Sequence, residues 1–144
     1  MNGRRTRAFL RATAGYLAGR PAAVAPPVQF LVEAAALCNY RCTYCVRGTA
    51  AGAAMSGGSS LPAREGRMPL ETFRIILGKI REAAPAAAVS LSFGGEPLLH
   101  DRIVDLIRTC NEHGYAAGVT TNGSLLREPL ARALASGGLR YGLL

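Results

Sequence analysis

The amino-acid sequence predicts an α/β fold in which short parallel strands alternate with amphipathic helices, preceded by a basic N-terminal helix. Three observations carry that expectation. Apolar runs of strand length at 28–37, 89–93 and 115–120 alternate with stretches that repeat apolar residues every three or four positions. Pro and Gly stand at the junctions. The segments directly after these three strands hold the residues richest in chemistry. Such alternation implies βαβ units and a parallel sheet, whose ligands bind beyond the carboxyl ends of the strands.

The elements follow in order. Residues 1–20 carry Arg4, Arg5, Arg7, Arg11 and Arg20 and no acid, and Phe9, Ala12 and Tyr16 recur with helical spacing beside Leu10 and Leu17. This reads as an amphipathic helix lying on the domain; the stretch has the charge of a transit peptide but not the apolar centre of a signal peptide. Pro21–Pro27 is a Pro/Ala connector, so residues 1–27 form one unit and 28–144 the second. Val28–Leu37 is an almost unbroken apolar run, expected as a strand buried on both faces. From Gly48 to Arg67 the chain is rich in Gly, Ala and Ser and reads as a long loop.

Pro69 opens a helix whose stripe is Phe73, Ile76, Leu77 and Ile80, and Pro85 closes it. Val89–Phe93 is the second strand, followed by Gly94-Gly95-Glu96-Pro97. Residues 101–113 form a helix with Ile103, Leu106, Ile107 and Cys110 inward and Gly114 as its stop. Tyr115–Thr120 is the third strand, and Thr121-Asn122-Gly123 is a turn. A short helix near Pro129, with Leu130 and Leu134 inward, ends at Gly137-Gly138, and Leu139–Leu144 begins a fourth strand.

Composition narrows the function classes. The 144 residues are 49% hydrophobic and 18% charged, long enough for one packed domain, and no apolar run nears the roughly 20 residues of a membrane span. The net charge of +8 comes from 16 arginines and one lysine against nine acids. With so few aromatics among the arginines and no nucleic-acid motif, nucleic acid is not the expected partner.

Three of the four cysteines, Cys38, Cys42 and Cys45, lie within eight residues as C-x3-C-x2-C. That spacing suits a metal rather than a disulfide framework and points to a reducing, cytoplasmic setting. Thiolates suit iron–sulfur clusters and zinc. A structural zinc site wants four ligands, which here requires Cys110 or a histidine; Cys110 reads as a buried apolar residue. Three cysteines on a cubane cluster leave one iron open for a ligand. His100 and His113 read as structural residues.

C-x3-C-x2-C with Tyr44 as the aromatic before the last cysteine, then Gly94-Gly95-Glu96-Pro97, then Thr121-Asn122-Gly123, resembles the radical S-adenosylmethionine (radical SAM) superfamily. The resemblance covers Val28–Leu144, and FGGEPLLH (93–100) is nearest in flavour to maturases with a C-terminal cluster-binding extension. It implies a [4Fe-4S] cluster on Cys38, Cys42 and Cys45, with S-adenosyl-L-methionine on the fourth iron. One electron, from a flavodoxin- or ferredoxin-like donor, would give methionine and a 5′-deoxyadenosyl radical for hydrogen abstraction from an unknown peptide or small-molecule substrate. Gly94 and Gly95 would let the backbone approach the methionine moiety, Glu96 would accept from its amino group, Tyr44 would bracket the adenine, and Asn122 would bond near the ribose. Gly94-Gly95 and Asn122-Gly123 also fit as plain turns.

The family core is a partial (β/α)6 TIM-like barrel. On that template residues 28–144 are the N-terminal half, a fragment or one half of a split enzyme whose partner chain supplies the rest. The isolated chain is then expected to be poorly active. The alternatives are a cluster-binding module without turnover and a zinc-binding structural domain.

Overall fold

Four short strands pair in chain order: β1 (Gln29–Leu31), β2 (Ala88–Ser90), β3 (Ala116–Thr120) and β4 (Tyr141–Leu143), all parallel. Among the described residues the helices are α1 (Gly3–Leu17), α2 (Leu70–Ala83), α3 (Ile103–Glu112) and α4 (Glu128–Ser136), with a 3-10 turn at Pro97–Leu99. This computed structural model describes residues 3–20, 25–45 and 66–143. The Gly/Ala/Ser-rich stretch expected as a long loop lies outside them, apart from its last two residues.

Periodicity placed the core. On α2 the residues Phe73, Leu77 and Ile80 are buried, and on α3 Ile103, Leu106, Ile107 and Cys110 are. They meet Val89, Leu91, Ala117 and Val119 from the sheet and Leu134 of α4 in one cluster. Fully burying a side chain such as Phe73 or Leu106 contributes roughly 1.5–3 kcal/mol, so this face is what holds the helices on the sheet. α3 stops at Gly114, whose φ of 81° is open to glycine at little cost.

On the opposite face the register aligns Ser90, Gly118 and Tyr141. The Tyr141 ring lies against Gly118, and its hydroxyl accepts from Gln29 Nε2 at 3.1 Å.

Two expectations are corrected. The first strand is not a ten-residue strand buried on both faces. β1 has three residues, sits at the sheet edge and leaves Leu31 58% exposed. The buried part of the run is Val32, Ala34 and Ala35, which leave the ladder: Val32 N–H still donates to Ser90 O, but Ala34 O accepts from Met68 N–H, and Ala35 bridges Arg67. An edge strand has one neighbour, so its apolar residues are buried only where another segment covers them. The second correction concerns α1. Its helix forms, but Phe9, Leu10, Tyr16 and Leu17 are exposed. Arg7, Ala8 and Arg11 line the cleft against Pro26, Pro27 and Pro85 instead. The small Ala8 lets that side approach the domain, and the aliphatic stems of the arginines can cover apolar surface.

Candidate functional site

Each of the first three strands delivers its loop to the carboxyl edge of the sheet, and backbone and side-chain bonds tie the loops together. Glu96, after β2, donates its N–H to Leu37 O of the loop after β1 at 2.7 Å. Its side chain is 2% exposed and accepts three bonds. Oε1 takes Leu98 N–H at 2.9 Å and Thr121 Oγ1 at 2.7 Å; Oε2 takes Asn122 N–H at 2.8 Å. Burying a carboxylate is costly unless donors surround it, and these donors come from the 3-10 turn and from the loop after β3.

Gly95 explains the close approach of the first two loops. A Cβ there would run into Ala35 O and stand 2.6 Å from Leu37 O. The missing side chain is required by the chain's own carbonyls.

The loop after β3 reaches back to the cysteines. Asn122 Nδ2 donates to Asn39 Oδ1 at 3.0 Å, and Asn39 Nδ2 donates to Ser124 Oγ at 2.8 Å. Asn122 Oδ1 in turn accepts from Ser124 N–H at 3.0 Å and Ser124 Oγ at 2.6 Å. Ser92 Oγ bonds with Thr120 N–H, joining the residues just after β2 to the end of β3.

Cys38 is exposed, Cys42 and Cys45 are half-buried, and all three are free thiols. Cys45 N–H donates to Cys42 O at 3.1 Å, and Tyr40 N–H points to Cys38 Sγ at 3.4 Å. Tyr44 is 91% exposed, and the Cys42 thiol hydrogen-bonded to its hydroxyl pushes its pKa above the usual tyrosine value. Among the described residues, no three Cys, His, Asp or Glu side chains stand together as a metal-ligand group. The three thiols thus share a loop and an edge without being gathered to one point. Their chemistry fits a [4Fe-4S] cluster: three soft, unpaired sulfurs in eight residues, reachable from solvent.

The zinc alternative would draw its fourth ligand from Cys110 or a histidine. Cys110 is fully enclosed, and burial pushes its thiol up to about 12. His100 is buried with both ring nitrogens engaged: Nε2–H donates to Met68 O at 2.9 Å and Nδ1 accepts from Arg102 N–H at 3.0 Å. His113 Nδ1–H donates to Thr109 O at 2.8 Å. Both histidines hold the ends of local structure.

Sequence reasoning marked Cys38, Cys42, Cys45, Gly94, Gly95, Glu96 and Asn122, and the structure brings all their loops to one edge. It missed Asn39, Thr121 and Ser124 as partners. Their only signal was proximity to motif residues, since Asn39 lies inside the cysteine spacing.

Comparison with known proteins agrees. The radical SAM superfamily profile matches residues 32–143. A tungsten-containing aldehyde ferredoxin oxidoreductase cofactor-modifying protein of Pyrococcus furiosus is 28% identical over 108 residues, covering 75% of this chain and 27% of the relative. A probable GTP 3′,8-cyclase of Thermococcus kodakarensis is 32% identical over 102 residues, covering 71% and 29%. The chain therefore spans less than a third of the length of these curated relatives. Among solved structures, BtrN in an open conformation superposes with a TM-score of 0.65 at 21% identity, covering 81% of this chain and 48% of BtrN. BtrN in complex with AdoMet and 2-DOIA gives a TM-score of 0.66. With most of its length matched and its three motif loops meeting at one edge of a parallel sheet, the chain belongs to the radical SAM superfamily.

Proposed function

We propose that this chain binds a [4Fe-4S] cluster through Cys38, Cys42 and Cys45 and holds S-adenosyl-L-methionine beside it, at the edge where the three loops meet. The observation that carries this reading is the bonded circuit from Leu37 through Glu96 and Asn122 back to Asn39. It holds the cysteine loop, the Gly-Gly-Glu-Pro turn and the Thr-Asn-Gly turn at a single site. When bound, the cofactors supply one-electron cleavage of a sulfonium carbon–sulfur bond and a radical for hydrogen abstraction.

The chain's own residues bind and orient. The three thiolates are the metal ligands. Gly94 and Gly95 keep the turn thin. Oε2 of Glu96 accepts only one of the three bonds to the carboxylate, so a lone pair remains for an ammonium group of the ligand. Tyr44, which is exposed, offers a ring for the adenine, and Asn122, bonded to the cysteine loop, is the residue assigned to the ribose. An external electron donor and an organic substrate complete the reaction. The edge strands β1 and β4 leave Leu31 and Leu143 exposed, which favours a second reading in which turnover needs further polypeptide against the sheet, whether of this protein or of a partner chain.

The test is anaerobic reconstitution with iron and sulfide, followed by visible absorption and paramagnetic resonance with and without S-adenosyl-L-methionine. The reading expects a cluster spectrum that Cys42→Ala removes, and a resonance signal that changes with the ligand. A colourless chain, or a Cys42→Ala spectrum equal to wild type, overturns it. Robust reductive cleavage of the ligand by the isolated chain would overturn the second reading.

A further inference from the structure

We infer that Asn39 is a positioning residue, the latch that holds the cysteine loop to the Thr-Asn-Gly turn and so fixes where the first thiol stands. Neither of its partners is near it in sequence. Asn39 Oδ1 accepts from Asn122 Nδ2, 83 residues away, and its Nδ2 donates to Ser124 Oγ, 85 residues away. Both side-chain bonds join the two loops directly. Cys38 is the preceding residue and is exposed, so little packing holds it.

The turn side of the latch is built to be rigid. Asn122 N–H is held by Glu96 Oε2, Asn122 Oδ1 by Ser124 N–H and Oγ, and Gly123 N–H by Thr121 Oγ1 at 3.1 Å. Thr121 Oγ1 is itself bonded to the buried Glu96 carboxylate. A fixed turn therefore meets a cysteine loop that lies largely at the surface. Asn39 is the right chemistry for the junction: one amide offers an acceptor and a donor in a plane, and it meets one donor and one acceptor on the turn. Orienting a ligand through a bonded neighbour is the usual way a protein positions a metal site.

For the loop this inference stands on the hydrogen bonds alone; for cluster retention it rests on the reading under Proposed function. Amide exchange in the iron-free full chain tests the first part. The Cys45 amide, bonded to Cys42 O, reports the cysteine loop, while α3 amides report the fold. Losing both side-chain bonds in Asn39→Ala should speed Cys45 exchange about tenfold and leave α3 amides unchanged. Asn39→Asp keeps an acceptor for Asn122 and should recover part of the protection. Ser124→Ala, which leaves Asn39 in place, should speed the same amide about threefold. Equal Cys45 exchange in wild type and both alanine variants overturns the latch. After reconstitution, Asn39→Ala should retain less iron through gel filtration than wild type. Wild type and Asn39→Ala retaining iron equally overturns the link from latch to cluster, whereas a wild type that takes up no iron overturns the cluster reading and leaves the exchange result to decide the latch.

Discussion

The ring of Tyr141 lies on Gly118, its register partner one strand away, and no side chain could stand between them. A Cβ at Gly118 would overlap the ring atoms, and the ring also carries the hydroxyl that accepts from Gln29 across the sheet. Gly118→Ala should therefore swing Tyr141 away and break its bond to Gln29. A side chain can move, so the cost should be about 1 kcal/mol, read as a lower midpoint in urea. Tyr141→Ala should make Gly118→Ala nearly neutral; a full penalty in that background would refute the account.

Gly95→Ala should be far worse, although the substitution is the same. Its Cβ would meet the backbone carbonyls of Ala35 and Leu37, which cannot rotate away. Separating the two loops would also strain the bond from Glu96 N–H to Leu37 O. A loss of about 3 kcal/mol or more is expected, enough to remove cooperative melting in a marginal domain. Equal midpoints for Gly95→Ala and Gly118→Ala would show that the loops slide freely.

How much of this was legible follows from what each signal measures. The stripes on α2 and α3 were readable because a helix repeats its burial every three or four residues, so Phe73, Leu77, Leu106 and Ile107 announced themselves. The run 28–37 misled because apolar composition reports burial, not pairing. Ala34 and Ala35 are buried after the ladder has ended with the bond from Val32 N–H to Ser90 O. On α1 the periodicity was real but the packed side was not readable, since Ala8 and the arginines make the contact and the larger apolar residues face solvent. The convergence of the motif loops followed from strand–helix alternation. The side-chain bonds that fasten them did not, because partners such as Asn39 and Ser124 are set by three-dimensional neighbours and leave no local period.

Glu96→Gln should destabilise the chain without removing any volume. The carboxylate accepts on both oxygens from Leu98 N–H, Thr121 Oγ1 and Asn122 N–H. A glutamine has one acceptor oxygen, so its amide NH2 must face one of the backbone N–H donors. A buried donor left without an acceptor costs about 1–3 kcal/mol. Thr121→Val removes the hydroxyl's bond to Oε1 and the acceptor of Gly123 N–H but leaves the carboxylate its two backbone donors, and should cost about 1–2 kcal/mol. Thermal midpoints of the iron-free variants decide the order, and a glutamine variant as stable as wild type would mean the carboxylate is not the hub of these loops.

Tyr115→Phe should stabilise. Tyr115 is 3% exposed, and its hydroxyl has no hydrogen-bond partner among the described residues. The ring packs in the core with Ile107 and Cys110. Removing an unpaired buried hydroxyl while keeping the ring should gain about 1 kcal/mol. A lower melting midpoint for the phenylalanine variant would reveal a partner for the hydroxyl.

Cys110 gives the pH dependence. It is fully enclosed, and burial raises its thiol from 9.0 to about 12. In the unfolded chain the proton leaves near pH 9; in the folded chain it stays until near pH 12. Between those values the unfolded state binds fewer protons, so stability is complete below pH 9 and falls as pH rises. The full loss attributable to this group is about 4 kcal/mol by pH 12. Wild type should exceed Cys110→Ala in urea midpoint at pH 7.5, and the gap should close as the pH passes 9 towards 11. Parallel curves would rule out a buried neutral thiol. The same burial predicts that iodoacetamide at pH 7.5 modifies Cys38 in the native iron-free chain and spares Cys110, which should react only after urea unfolds the core.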